Sequence, residues 1–349
     1  MIEHTMVLLA VIVVIGIACQ WLAWWTKLPA ILYLLLSGLF LGPMTGFIQP
    51  DRLFGQLLFP MVSLGVALIL FEGSLTLRLS EIKGQAGVVR NLVTYGAVLN
   101  AAIIAAATHF IVGFSWELAL LFGALVSVTG PTVIVPMLRT VRPIASIANI
   151  LRWEGIIIDP LGALMAVLVY QFILSGKGHQ ALMVFSKMIL VGGLSGAAAA
   201  YGLATLLRRH FIPEYLHNVI TLALVVGVFT FANTLQHESG LLSVTVMGMM
   251  LGNMKNVPIE DILDFKESLS VLLISLLFIV LAARVDFLLF VQVGWGAPVL
   301  FLVILFIARP AMVLASALGS KLNWREIALL SWIAPRGIVA AAVSALFAL

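Results

Sequence analysis

The segment WEGIIIDPLGALMAVLVY, residues 153–170, places one aspartate, Asp159, inside a run of apolar residues long enough to form a membrane-spanning helix. A charged carboxylate at membrane depth costs several kcal/mol, so such a residue is a functional candidate by default. Asp159 must therefore face a water-filled cavity, bind a cation or carry a proton. A carboxylate that alternates between proton and cation can exchange one for the other. The structural alternative is a carboxylate that caps a neighbouring helix.

The composition of the whole chain is that of a membrane protein. Of its 349 residues, 62% are hydrophobic and 10% are charged, and the mean hydropathy is +1.17. Soluble domains contain about 45–50% apolar and about 25% charged residues. A cytosolic enzyme, a nucleic-acid-binding module and a disordered chain are therefore excluded. The single cysteine, Cys19, excludes a disulfide framework and a cysteine-based metal site.

About twelve segments are long and apolar enough to cross a bilayer as helices, which require roughly 20 residues each. Transmembrane strands would be about ten residues long and strictly alternating, which these segments are not. The sequence thus predicts an all-α polytopic membrane protein. The predicted spans are 5–25, 29–42, 53–77, 86–112, 117–138, 147–175, 181–208, 213–236, 239–253, 264–283, 295–319 and 325–349.

The basic residues predict the orientation of these spans. Alternate loops on one side of the predicted bundle contain 13 lysines and arginines, whereas the loops on the other side contain 4. Loops rich in lysine and arginine remain in the cytoplasm. We therefore expect a multi-pass protein of the cell membrane whose N-terminus lies outside.

The second acidic residue of the 153–170 segment is Glu154, five residues before Asp159, or about 140° around a helix. The two carboxylates then point to different faces and do not act as a pair. Glu154 is expected to pair with a buried arginine of another helix, first Arg309 and second Arg336. The alternative is that Glu154 lies at the cytoplasmic interface beside Arg152.

The fifth span contains a break, with glycine and proline beside several hydroxyl groups. Gly130 and Pro131 interrupt the apolar run, and Ser127, Thr129 and Thr132 surround them. Such residues release backbone groups at membrane depth, which is tolerated where the break is buried or lines a cavity. In secondary transporters, broken helices of this kind form the ion site. The alternative is a simple proline kink.

The last span contains a second break around Arg336, in the sequence Ala-Pro-Arg-Gly of residues 334–337. Two broken spans at corresponding positions indicate an inverted-repeat transporter. Their separation by seven spans fits two six-helix repeats joined by a linking helix, 181–208. The second repeat would then need a thirteenth helix, so we expect a chain truncated in or after its twelfth. Arg336 could fix the half-helix ends, repel a bound cation, or anchor the cytoplasmic face.

Together these motifs resemble the monovalent cation:proton antiporters of the NhaP/NHE branch over essentially the whole chain. The pairing of the Glu-x4-Asp helix with the terminal PRGIVAAAV stretch is the most specific part of the resemblance. The motifs are FEGSL at 71–75, VTGPTVI at 128–134, WEGIIIDPLGA at 153–163, FIARPAMVL at 306–314 and SWIAPRGIVAAAVS at 331–344.

The resemblance implies an inverted-repeat fold of thirteen helices, of which about twelve are present. It further implies a dimerisation scaffold, about 1–85 and 213–285, and an ion-translocating core, about 86–175 and 295–349. Members of this family work as homodimers by elevator-type alternating access. A cytoplasmic regulatory domain beyond residue 349 is a further expectation.

The resemblance also assigns roles to single residues. Asp159 matches the ion- and proton-binding aspartate, and Thr129 matches the threonine of the first broken helix. Glu154 and Arg309 match the salt bridge between core helices. Arg336 matches the arginine of the second broken helix.

Glu72, in the FEGSL motif, is a secondary candidate together with Ser127. Glu72 lies one turn before Arg78. It could guard an entrance or form an interfacial pair with Arg78, and both interpretations stay open.

Two positions depart from the family pattern. Ile158 stands where the family usually has asparagine, and Gly130 stands where it often has aspartate. Asp159 is thus the only nearby carboxylate, which predicts one proton exchanged per cation. Fewer side-chain oxygens could suit potassium, which is larger and more easily dehydrated than sodium.

We therefore expect antiport of Na⁺ or K⁺ against H⁺, with no cofactor and no nucleic-acid partner. A passive cation channel is the first alternative, although channels more often build a repeated filter around an axial pore. An intramembrane hydrolase is the second. A serine protease would need a buried base, and an aspartyl protease would need two facing carboxylates.

Overall fold

The computed structural model of the chain describes residues 2–82, 84–176, 178–257, 260–286 and 294–334. The side chains at 2–4, 131, 132, 135, 136, 139, 175 and 260–267 lie outside that description. The described elements are helical, in agreement with the predicted all-α fold. The α-helices are α1 (Ile2–Thr26), α2 (Ala30–Leu39), α3 (Pro50–Phe54), α4 (Leu58–Leu75), α5 (Ala86–Asn91), α6 (Ala97–Ala107), α7 (Trp116–Val126), α8 (Pro131–Val141), α9 (Ala145–Ser175), α10 (Gly178–Arg208), α11 (His217–Leu235), α12 (Ser239–Asn253), α13 (Glu260–Ala283), α14 (Gly296–Val303), α15 (Arg309–Ala317) and α16 (Trp324–Trp332).

Seven helical stretches in the described ranges are long and apolar enough to cross a membrane, and four shorter apolar helices accompany them. Large apolar side chains lie on the outer surface of the bundle. At the end of α1, for example, Trp21, Trp24 and Trp25 are exposed. Tryptophan is enriched where helices leave the bilayer. The helices therefore present a lipid-facing surface, as expected of a multi-pass membrane protein.

The buried apolar residues form two large clusters. The first joins α1, α2, α4 and α10–α13, and α7 and α9 each contribute two buried residues to it. The second joins α5, α6, α8, α9, α15 and α16. Helix α9 belongs to both clusters, so it lies between the two groups of helices.

Two of the membrane-spanning rods contain π-helical turns. The first rod runs from α5 through the π turn Leu92–Gly96 to α6, and the second runs from α14 through the π turn Ile304–Ala308 to α15. The rods pack antiparallel. π turns are rare and are frequent near functional sites. A further π turn, Phe40–Met44, follows α2, and another, Thr108–Val112, ends the first rod, so the π turns do not by themselves indicate an inverted repeat.

Candidate functional site

The predicted span 117–138 is two helices separated by a short non-helical segment. Helix α7 ends at Val126, and α8 begins at Pro131. The backbone of Gly130 is extended, with φ −122° and ψ 149°. Proline suits the first helical position because that position has no intrahelical acceptor for an N–H group. One helix therefore ends at Val126, residues 127–130 form a non-helical connection, and a second helix begins at Pro131.

Helix α9 lies directly against this first break. Gly155, Asp159 and Gly162 share one face of α9, because spacings of four and three residues return to the same side of a helix. A methyl group added to Gly155 would overlap Ile134, and one added to Gly162 would overlap Val128. These two glycines let the broken segment approach on both sides of Asp159. Asp159 therefore lies on the face of α9 that meets the break.

Asp159 and Thr129 are both fully buried, with 0% exposure. In the described part of the chain, the two carboxylate oxygens of Asp159 have no hydrogen-bond partner. The hydroxyl of Thr129 has none there either. Asp159 is the fifteenth residue of α9, near the middle of its 31 residues. A buried carboxylate without a partner is unstable as a bare anion. It is therefore suited to hold either a proton or a cation.

Glu154 points away from the break and pairs with Arg309 on α15. The guanidinium group makes two parallel hydrogen bonds to the carboxylate, Nη1 to Oε1 and Nη2 to Oε2, the second at 2.9 Å. Both side chains are completely buried. This two-pronged geometry is the strongest that arginine forms with a carboxylate. The pair joins the helix of Asp159 to α15.

Arg309 also contacts the end of α16, which sequence reasoning did not predict. Its Nε atom donates to the carbonyl oxygens of Leu330 at 3.3 Å and of Ile333 at 3.1 Å. The last carbonyls of a helix lack intrahelical donors and carry partial negative charge. Arg309 therefore provides a donor to the carbonyls at the carboxyl end of α16. The sequence had offered Arg336 for this contact, and Arg336 lies outside the described residues.

The remaining predicted site residues surround the first break or lie apart from it. Ser127 is fully buried, and its hydroxyl donates to the carbonyl of Ala124 at 2.8 Å. Pro131 and Thr132 form the first turn of α8. Glu72 lies in the last turn of α4 and is partly buried. The chain brings Thr129, Gly130 and Asp159 together, whereas Glu72 belongs to another helix group.

The described residues contain no group of three or more histidine, cysteine, aspartate or glutamate side chains that could hold a metal ion. Among the described residues, the oxygen donors near the break are the carboxylate of Asp159, hydroxyl groups and backbone carbonyls. Divalent and transition metals usually require several charged or nitrogen ligands. A sparse set of oxygen atoms in a buried break is instead suited to a monovalent cation.

A family model described as "Sodium/hydrogen exchanger, transmembrane" matches residues 7–349. The chain belongs to this exchanger family. It is therefore placed in a family of membrane transporters and not among enzymes. This agrees with the resemblance found in the sequence motifs.

Two relatives carry names that state the transported ion. The chain is 26% identical to "K(+)/H(+) antiporter NhaP" of Alkalimonas amylolytica over 344 residues, covering 97% of this chain and 59% of that protein. It is also 26% identical to "Na(+)/H(+) antiporter 1" of Methanocaldococcus jannaschii over 339 residues, covering 91% of this chain and 77% of that protein. The chain thus spans about three fifths of the first relative and about three quarters of the second.

A solved structure has the same fold. The sodium proton antiporter MjNhaP1 from Methanocaldococcus jannaschii at pH 8 superposes with a TM-score of 0.84 and 24% sequence identity. The match covers 99% of this chain and 86% of that chain. This likeness establishes the antiporter fold for the exchanger-family chain.

Proposed function

We propose that the chain is a secondary active antiporter that exchanges Na⁺ or K⁺ for H⁺ across the cell membrane. The observation that supports this most is the state of Asp159, a fully buried carboxylate without a hydrogen-bond partner in the described residues. Either a proton or a cation would neutralise it, and both cannot occupy it at once. Competition for one carboxylate is sufficient to couple the two fluxes.

In this proposal the backbone of the first break and Thr129 complete the cation site. Thr129 contributes a buried hydroxyl with no partner among the described side and main chains. The carboxyl end of α7 adds the partial negative charge of its last carbonyls. Glu154 and Arg309 do not bind the cation; they fix α9 to α15 so that Asp159 keeps its place.

One carboxylate at the site leads to one proton exchanged per cation. Ile158 and Gly130 provide no side-chain oxygen, so the cation would rely on Asp159, hydroxyl groups, backbone carbonyls and retained water. An ion with a weakly held hydration shell suits such a site, which favours K⁺ over Na⁺. The names of the two relatives include both ions.

We further propose that the protein works as a homodimer by an elevator movement. The scaffold would comprise about 1–85 and 213–285, and the mobile core about 86–175 and 295–349, with the linking helix between them. The two buried apolar clusters support a division into two groups of helices. The excess of basic residues in alternate loops supports an orientation with the N-terminus outside the cell.

The test is cation accumulation in proteoliposomes driven by a pH gradient. An antiporter accumulates the cation against its own gradient, whereas a channel only dissipates that gradient. We expect the wild type to accumulate K⁺ or Na⁺, and Asp159→Asn to abolish the uptake. Asp51→Asn is the matched control, because Asp51 is an exposed aspartate paired with Arg284 at a helix end. Full pH-driven uptake by Asp159→Asn would refute the proposal.

A further inference from the structure

Asn100 is a fully buried amide in the first turn of α6, near the middle of the rod Ala86–Val112, and it has no part in the proposed mechanism above. It has 0% exposure, and neither its oxygen nor its nitrogen has a hydrogen-bond partner in the described part of the chain. Buried polar groups are almost always paired, because leaving them unpaired costs stability. Proteins keep such unfavourable groups mainly where function requires them.

The packing of α6 against α15 gives the depth of Asn100. A methyl group added to Gly96 would meet Ser316 and Met312. A methyl group added to Gly296 would lie nearest to the carbonyl oxygen of Ile111. These contacts show that the two rods are antiparallel: residue numbers rise along the α5–α6 rod in the direction in which they fall along the α14–α15 rod. Asn100, one turn after Gly96, therefore lies at the level of Ala308 and Arg309. Arg309 is the residue that donates to the carbonyls at the carboxyl end of α16.

The packing of α6 against α7 places Asn100 beside the first break as well. The carbonyl of Ala101 and the side chain of Ala105 are the nearest neighbours of Gly123, in the last turn of α7. Asn100 is adjacent to Ala101 in the chain, and α7 ends only three residues after Gly123. Along the axis of the bundle, Asn100 is thus within about one helical turn of the carboxyl end of α7.

The direction of the Asn100 side chain follows from the helical wheel. Gly96 faces α15, and Ala105 lies about 180° around α6 from Gly96 and faces α7. Asn100 is about 40° from Gly96, on the buried arc between these two directions. Its amide therefore points into the space between α7 and α15. Helix α7 ends at the first break, and α15 carries Arg309, which contacts the carboxyl end of α16.

We propose that Asn100 is a further polar residue of the cation site and a determinant of ion selectivity. This inference rests on the proposed antiport. The carboxamide oxygen accepts a hydrogen bond from water that the cation retains while it is bound at Asp159. The amide group of Asn100 thereby replaces part of the hydration that Ile158 and Gly130 cannot supply. A water-mediated contact of this kind is nearly as favourable in enthalpy as a direct one.

The test compares thermal unfolding and cation titrations of purified protein for the wild type, Asn100→Leu and Thr108→Val. Leucine has nearly the shape of asparagine and removes both polar atoms. Thr108 is the matched control, since it is a buried polar residue of the same rod whose hydroxyl is already bonded to the carbonyl of Ile104 at 2.7 Å. Each protein is titrated with Na⁺ and with K⁺.

For Asn100→Leu we expect the cation-free protein to be at least as stable as the wild type, because an unpaired amide is removed. The affinity for the preferred cation falls by about threefold to tenfold, the loss of one hydrogen bond to a neutral water molecule, and the ratio of the Na⁺ and K⁺ affinities changes. Thr108→Val keeps both affinities. A substitution by aspartate, Asn100→Asp, is expected to tighten cation binding.

Two results overturn the inference. Asn100→Leu could lower the stability of the cation-free protein or prevent folding, which would give the amide a structural role. Alternatively, the folded variant could keep the wild-type affinities and ion ratio. A separate outcome concerns the proposed function: if Asp159→Asn binds cations as the wild type does, the antiport site itself is wrong, whatever Asn100 does.

Discussion

Arg309 makes two kinds of contact with a single buried guanidinium group. Two of its nitrogens bind Glu154 on α9, and Nε binds the carbonyls of Leu330 and Ile333 at the end of α16. A buried ion pair is stabilising only when its remaining hydrogen-bond groups are also satisfied. Arg309 meets this condition because its guanidinium group has partners on both sides. It therefore links α9, α15 and α16 at the depth of the second break.

Removal of either partner of this pair is predicted to destabilise the protein strongly. Glu154→Gln leaves a buried guanidinium without its counter-charge, and the expected loss is about 3–5 kcal/mol. Arg309→Met should cost at least as much, since it also leaves the α16 carbonyls unpaired. Thermal unfolding of the purified variants measures both effects, with Arg284→Met at the exposed pair as the control.

The double variant Glu154→Gln, Arg309→Met tests whether the two residues act as a pair. Its loss of stability should be clearly smaller than the sum of the two single losses, because neither buried charge is then left alone. Additive losses would contradict the direct coupling of Glu154 and Arg309.

Residue chemistry was the most predictable level of this molecule. The five-residue spacing of Glu154 and Asp159 predicted that they face different directions, and α9 places them so. The contact of Arg309 with the α16 carbonyls could not be predicted. It depends on how far α15 lies from the end of α16, which is a property of the packed bundle.

Among the elements, the crossing of α9 with the first break depends on two glycines. Gly162 approaches Val128 so closely that a methyl group would overlap its side chain. Gly162→Ala is predicted to push residues 127–130 away from Asp159. Overpacking of this kind costs about 1–3 kcal/mol, and pH-driven cation uptake should fall more than the amount of folded protein does.

The compensating change is Val128→Ala, which removes the atoms that the new methyl group would meet. Uptake by the variant Gly162→Ala, Val128→Ala should recover relative to Gly162→Ala alone. Gly193→Ala is the control, because nothing lies within 4 Å of a methyl group at that position. No recovery in the double variant would mean that Gly162 acts through something other than its contact with Val128.

A second prediction at the element scale concerns the turn between α11 and α12. Glu238 precedes α12 in a left-handed conformation with φ +65°. Burial raises the pKa of its carboxyl above the ordinary value, and the charge of His237 opposes this shift in part. The folded protein therefore holds this proton more tightly than the unfolded chain does. Stability is fully present below the ordinary pKa and declines as pH rises through the raised pKa.

Glu238→Gln should remove this decline. Below the ordinary pKa of glutamate the variant and the wild type are expected to unfold at similar temperatures. Above the raised pKa the variant should unfold at the higher temperature. Unfolding midpoints over a series of pH values provide the measurement, and a constant difference at every pH would contradict the assignment to Glu238.

At the scale of the whole molecule, hydropathy and two glycine–proline breaks were enough to predict the fold class. The spans followed from length and apolar composition, and the first break followed from Gly130 and Pro131. The π turns in the α5–α6 and α14–α15 rods could not be predicted, because apolar length and composition do not distinguish a π turn from an α-helical one. Asn100 could likewise not be singled out from the sequence, since its sequence context is that of an ordinary buried helix residue.

The two helix groups meet at the helix that carries Asp159. Helix α9 belongs to both apolar clusters and carries Asp159 at its centre. Any change in the relative position of the groups would therefore move the carboxylate relative to one of them. In our proposal the carboxylate makes this movement only with a proton or a cation bound, because a bare anion in an apolar surrounding is too costly.

The most direct test of the central claim is proton release on cation binding to the purified protein. Unbuffered wild type and Asp159→Asn are titrated with K⁺ and Na⁺ over a series of pH values while the released protons are counted. We predict that the wild type releases up to one proton per bound cation, fewer as pH rises, and that Asp159→Asn releases none. Cation binding without proton release at every pH, or undiminished release from Asp159→Asn, would contradict the exchange of proton for cation at Asp159.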